Sequence, residues 1–151
     1  MRRRILLGLL LASSLPLVPS SLSLASAQTS KPTDYKGLEI TPVSIERAMN
    51  VALVDCPPGT NTQRGNAIAG EEFAVVTLAF KVTPAFKETI VKKPTMKDAS
   101  GKIFNTSVAI IDPGSVPEYK CAFPFRVPAG TKVASVAIDT ATINLGSLDK
   151  R

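Results

Sequence analysis

The sequence predicts an all-β fold, an antiparallel sandwich of about seven short strands closed by one disulfide. Three observations carry this. From Leu38 onward, short aliphatic and Thr-rich runs are separated by clusters of Gly, Pro, Asp and Ser. The best of these runs alternate apolar and polar residues with a period of two, and no segment has the spacing of a three-turn amphipathic helix. The two cysteines, Cys56 and Cys121, lie downstream of a segment composed like an export signal.

That segment comes first. Arg2, Arg3 and Arg4 form a positive start, an apolar stretch runs from Ile5 to Ala12, and Ala25-Ser26-Ala27 is a small-x-small cleavage site. The spacing predicts a signal peptide over residues 1–27, cleaved to leave Gln28 as the new N-terminus. The apolar run is too short for a hydrocarbon layer of ~30 Å, and Pro16 and Pro19 interrupt it. The expected location is extracytoplasmic, periplasmic or secreted. Removing residues 1–27 takes away three arginines and no acid, so the net charge falls from +6 to +3. Half of the net positive charge therefore belongs to the signal, and nucleic acid is not an expected partner.

Residues 28–37 read as a flexible polar lead, residues 38–148 as the domain, and residues 149–151 as a polar tail. Within the domain, Leu38–Ile45 and Ala48–Val54 are weaker strand candidates. Cys56 to Gly70 reads as a long surface connection carrying Pro57-Pro58-Gly59. Glu72–Val82 is a clear strand, with Ala74, Val76, Leu78, Phe80 and Val82 on one face. Phe73 and Val75 on its other face suggest that its start is covered on both sides. Thr89–Lys97 and Ile103–Ile111 are joined by a turn at Asp98-Ala99-Ser100-Gly101. Asp112-Pro113-Gly114 and Pro128-Ala129-Gly130 mark further turns. Tyr119–Val127 has the cleanest alternation, and it puts Cys121 in the core layer. Pro124 lacks a ladder donor, so its nitrogen must face an edge or a bulge. Lys132–Ile143 reads as the last strand.

Two cysteines in an exported domain allow one intramolecular bridge, Cys56 to Cys121. It closes a loop of about 66 residues, for which chain entropy gives roughly 4 kcal/mol. The cysteines lack the Cys-x-x-Cys spacing of a redox pair, so the bridge reads as a structural staple.

Three segments resemble a family of small secreted bacterial domains with an immunoglobulin-like sandwich, many of unassigned function. Gly70-Glu71-Glu72-Phe73-Ala74-Val75-Val76 looks like the family's Gly-acid-x-Phe entry into a long strand. Met96-Lys97-Asp98-Ala99-Ser100-Gly101-Lys102 looks like its strand, turn and return. Phe123-Pro124-Phe125-Arg126-Val127-Pro128 looks like its closing Phe-x-Val-Pro segment. The resemblance implies an immunoglobulin-like antiparallel β-sandwich and brings no catalytic residues. The Trp and cysteine spacing of antibody domains are absent from the sequence.

The chain has no His, which removes most transition-metal sites and the His-dependent nucleophile sets. Glu71-Glu72 is the adjacent acidic pair in view, and strand alternation sends its two carboxylates to opposite faces. No calcium-loop, phosphate-cradle or nucleophile-elbow motif occurs. Met49 and Met96 read as core filler. No cofactor or metal is expected, and an enzyme is the least favoured reading. Two binding surfaces remain. Asn61, Gln63, Arg64 and Asn66 lie in the Cys56–Gly70 connection, where a stapled loop can contact a partner protein. Lys87, Lys92, Lys93, Lys97 and Lys102 concentrate positive charge that an anionic glycan or lipid surface would attract. Lysines also blunt exposed strand edges without binding anything. The expected function is a non-catalytic interaction module contacting another extracytoplasmic protein. Salt-dependent anion binding and inhibition of a hydrolase are the alternatives.

Overall fold

The computed structural model describes residues 31–59 and 62–150. The expected signal peptide, residue Gln28 of the lead and Asn61 lie outside them. The strands are β1 (Thr33–Tyr35), β2 (Leu38–Ala48), β3 (Asn50–Val54), β4 (Thr62–Asn66), β5 (Glu71–Val82), β6 (Ile90–Val91), β7 (Thr95–Asp98), β8 (Ile103–Asn105), β9 (Ile110–Ile111), β10 (Glu118–Pro128), β11 (Val133–Ile138) and β12 (Ala141–Asn144). Two four-stranded antiparallel sheets, β1-β2-β5-β10 and β12-β11-β7-β8, stack on one core. β3-β4 and β6-β9 form separate two-stranded ribbons.

Alternation explains the packing. Val76, Leu78 and Phe80 of β5, Phe123 and Phe125 of β10, and Leu38 and Ile40 of β2 point inward. They meet Met96, Val136, Ile138 and Ile143 of the second sheet, all buried. Phe80 stacks on Tyr119 with centroids 5.0 Å apart and meets Phe123 edge-on at 6.2 Å. β10 is the edge of its sheet, which accommodates Pro124 opposite Val75. Cys56 bonds Cys121 of β10, so the bridge ties the chain just after β3 to the core layer. The same residue is fixed through its backbone: its N–H donates to the Ala109 carbonyl at 2.9 Å, and its carbonyl accepts from Ile111.

Several expectations need correction. Three of the seven expected runs are each broken into two strands, and β1 and β4 form in segments that read as lead and loop, so the described residues hold twelve strands. Lys132–Ile143 is a hairpin, β11 and β12, which turns at Asp139 with a positive φ of 50°. Thr89–Lys97 holds β6 and β7, and Ile103–Ile111 holds β8 and β9, because Pro94 and the Thr106–Ser107 bend interrupt them. The lead contains β1, which pairs with β2 through Tyr35↔Leu38 and buries Tyr35. Its return passes Gly37 at φ 91°, where an added Cβ would lie 2.6 Å from the Phe86 nitrogen. The tail contains buried Asp149. The Cys56–Gly70 connection contains a strand, since β4 pairs with β3 throughout Asn50↔Asn66 to Val54↔Thr62.

Candidate functional site

The β3–β4 hairpin carries the described part of the loop surface expected from the sequence. β2 runs almost directly into β3, and β4 leads back to β5, so the hairpin extends the β2–β5 pair beyond the sandwich. It bends over the outer face of the first sheet. A Cβ on Gly65 would sit 3.1 Å from the Phe73 ring and 3.1 Å from a Val51 methyl, so the hairpin's backbone lies directly on Phe73. That contact covers the outer face of β5 at its start. Arg126 closes the same corner. Its guanidinium lies 5.4 Å from the Phe73 ring centre and donates to the Asn66 carbonyl at 2.8 Å. Its Nε stands 3.8 Å from Glu71 Oε2, too far for a hydrogen bond.

Alternation then divides the hairpin's residues. Val51, Gly65, Leu53 and Gln63 share one face, and Asn50, Asn66, Ala52 and Arg64 share the other. Asn50 stands directly across from Asn66, and Arg64 across from Ala52, beside a concavity of about 330 Å³. Arg64 is exposed and has no ion-pair or hydrogen-bond partner among the described residues. The structure thus joins Arg64 and Asn66 on one face, assigns Gln63 to the other, and adds Asn50. Sequence reasoning missed Asn50 because its link to Asn66 is made by pairing across a connection that shows no short turn motif.

The lysines do not share a face. Lys92 lies 3.2 Å from Asp139 at the β11–β12 turn. Lys93 donates to the Ser107 carbonyl at 3.3 Å. Lys97 projects from β7 away from the core, opposite Ile103. Lys102 places its ammonium 5.1 Å from the ring centre of Phe104, a residue on the core side of β8. Lys87 is exposed and unpaired among the described residues.

The acids are engaged in holding the fold. Asp139 accepts from the Tyr35 hydroxyl at 2.8 Å, and this bond, with Lys92, holds its carboxyl below the usual range. Burial, and then the bond to Asp139, raise the Tyr35 phenol above its ordinary value. Asp98 caps the β7–β8 turn by accepting from Ser100 N–H and Oγ and from Lys102 N–H, which lowers its pKa. Arg47 donates to Glu72 at 3.1 Å and to Asp149 at 2.7 Å, and Asp149 also accepts from the Val133 N–H at 2.7 Å. These two carboxylates share one arginine and so stand as a structural clasp between β2, β5, β11 and the C-terminal segment. Among the described residues no cluster of three or more metal-ligating side chains occurs, and no helix is long and apolar enough to cross a membrane.

A second concavity, about 440 Å³, lies on the outer face of the first sheet. Thr41 and Ala79 form its small-residue floor, and Glu39, Lys81, Glu118 and Lys120 form its rim. Its charges alternate in sign, so it selects no charged ligand.

No family model and no curated protein matches the chain. The chain is similar to the crystal structure of an uncharacterized β-sandwich protein from Clostridium difficile, with 12% identity and a TM-score of 0.43, covering 72% of this chain and 82% of that one.

Proposed function

We propose that this chain is an extracytoplasmic, immunoglobulin-like interaction module that binds another protein through the β3–β4 hairpin. The observation that carries the reading is the anchored hairpin itself. Phe73 fixes its underside, the Cys56–Cys121 bridge ties its turn end to β10, and its outward face presents Arg64, unpaired among the described residues, next to the facing amides of Asn50 and Asn66. A polar arm held rigid by a scaffold loses little conformational entropy on binding. The signal-like residues 1–27 and the disulfide support an oxidising, extracytoplasmic setting. Neutralisation of Lys92 and dispersal of the other lysines weigh against the anionic-surface alternative.

The test is capture from envelope and culture fluid with residues 28–151 as bait, alongside an Asn50→Ala/Arg64→Glu double variant. The expected result is a protein retained by the parent at low and high salt and lost by the variant. Equal retention by both would overturn the reading.

A further inference from the structure

We infer that the free edge of β4 receives an extended acidic segment of the partner protein, added as a third strand with a carboxylate opposite Arg64. This rests on the hairpin being the contact surface.

The edge itself is the first observation. Ala67 N–H donates to the Met49 carbonyl at 2.8 Å, which fixes the phase of the ladder at the base of the hairpin. Alternation then directs the backbone groups of Gly65 and Gln63 toward β3 and those of Thr62, Arg64 and Asn66 to the open side. The Asn66 carbonyl confirms the phase, since it turns away from β3 to accept from Arg126. The N–H and C=O of Arg64 therefore face the open side, with no partner strand there among the described residues.

The edges of the two described four-stranded sheets are guarded, whereas on the open side of β4 Arg126 takes the Asn66 carbonyl and leaves the Arg64 backbone groups without a partner among the described residues. β1 and β8 have three residues each and β12 has four. β2 is paired with β1 only as far as Ile40, and its uncovered part carries Pro42 and a register shift between Pro42 and Ser44. β10 is bridged by Thr106 at Phe125 and tied to Cys56 at Cys121. The outer side of β3 overlies β10, where Ala52 and Val54 share a cavity with Ala122. β4 has five residues in continuous register, with no proline, lysine or bulge. Folds suppress such edges unless a strand is meant to join them.

Charge selects the occupant. A second copy pairing antiparallel in full overlap would set Arg64 against Arg64, which like-charge repulsion disfavours. An aspartate or glutamate at that position instead gives the exposed guanidinium a charge-assisted, bidentate partner, with the Asn50 and Asn66 amides beside it.

Short random peptides displayed on phage, selected against residues 28–151, test the idea. The selected sequences should carry Asp or Glu at one position among β-branched residues. Arg64→Glu should weaken a selected peptide about threefold to tenfold and shift reselection toward Lys or Arg. Bound peptide should slow hydrogen exchange at the Arg64 amide of the parent protein, and N-methylation of the peptide's facing amide should abolish the effect. No selected peptide, no acidic position, or unprotected Arg64 would overturn strand addition. So would a concentration-dependent dimer protecting the same amide, or binding to anionic vesicles in place of peptides. If envelope capture still depends on the hairpin, strand addition alone falls; if capture ignores the hairpin, the proposed function falls as well.

Discussion

Arg47 shows how much one side chain can organise. It reaches Glu72, Asp149 and the Thr131 carbonyl at once, and the buried Asp149 carboxylate is held by that arginine and the Val133 N–H. Arg47→Ala leaves a buried carboxylate without its counter-charge, so it should cost about 3 kcal/mol in urea unfolding. Tyr119 gives a pH-dependent counterpart. Burial pushes its phenol up to about 12 from an ordinary 10.0, and its hydroxyl donates to the Pro113 carbonyl at 3.0 Å. A raised native pKa adds stability that is complete below the ordinary value and is lost as pH climbs through the native one. Stability should therefore fall between about pH 10 and 12 as the unfolded phenol ionises first. Tyr119→Phe should lose about 1 kcal/mol at neutral pH. It should also lack this alkaline component, so its deficit against the parent should shrink above pH 10 in matched denaturation curves.

At the scale of elements, the Cys56–Cys121 bridge and Gly65 decide whether the hairpin stays in place. Cys56→Ser/Cys121→Ser should cost roughly 4 kcal/mol by the chain-entropy argument, read from urea midpoints at constant slope. Gly65→Val would drive two methyls into Phe73 and Val51 and should lift the hairpin off the sheet. Its signature is faster amide exchange through β3 and β4, with β5 and β10 unchanged. The same elements explain what could be read from sequence. β5 and β10 were legible because their inward faces are continuous aliphatic and aromatic rows. Even the double covering of Phe73 could be foreseen from its place on the polar face. β4 was not legible, since Thr-Gln-Arg-Gly-Asn has no apolar side chain and packs through the bare backbone of Gly65. The β11–β12 break was hidden for a related reason. Asp139 takes the left-handed conformation that a glycine would have announced, so the run up to Ile143 looked continuous. Asp149, seemingly part of a polar tail, is buried through a partner more than a hundred positions away in the chain, a separation no local pattern encodes.

On the whole-molecule scale, two antiparallel sheets and one bridge make a rigid body whose acids are largely engaged within it and whose lysines are scattered. Laid over that body is the anchored β3–β4 hairpin, with a guanidinium unpaired among the described residues and an open strand edge. The candidate residues Gln63, Arg64 and Asn66 were found by their loop setting. The face that unites Arg64 and Asn66 with Asn50 required the β3–β4 register. Capture from envelope and culture fluid is the most direct measurement of whether that hairpin is the working surface. It compares residues 28–151, the Asn50→Ala/Arg64→Glu variant and a Lys97→Glu/Lys102→Glu variant at low and high salt. A protein held at both salts by the parent and the lysine variant, and released only by the hairpin variant, is the predicted result. Retention that disappears at high salt and follows the lysines instead would contradict it.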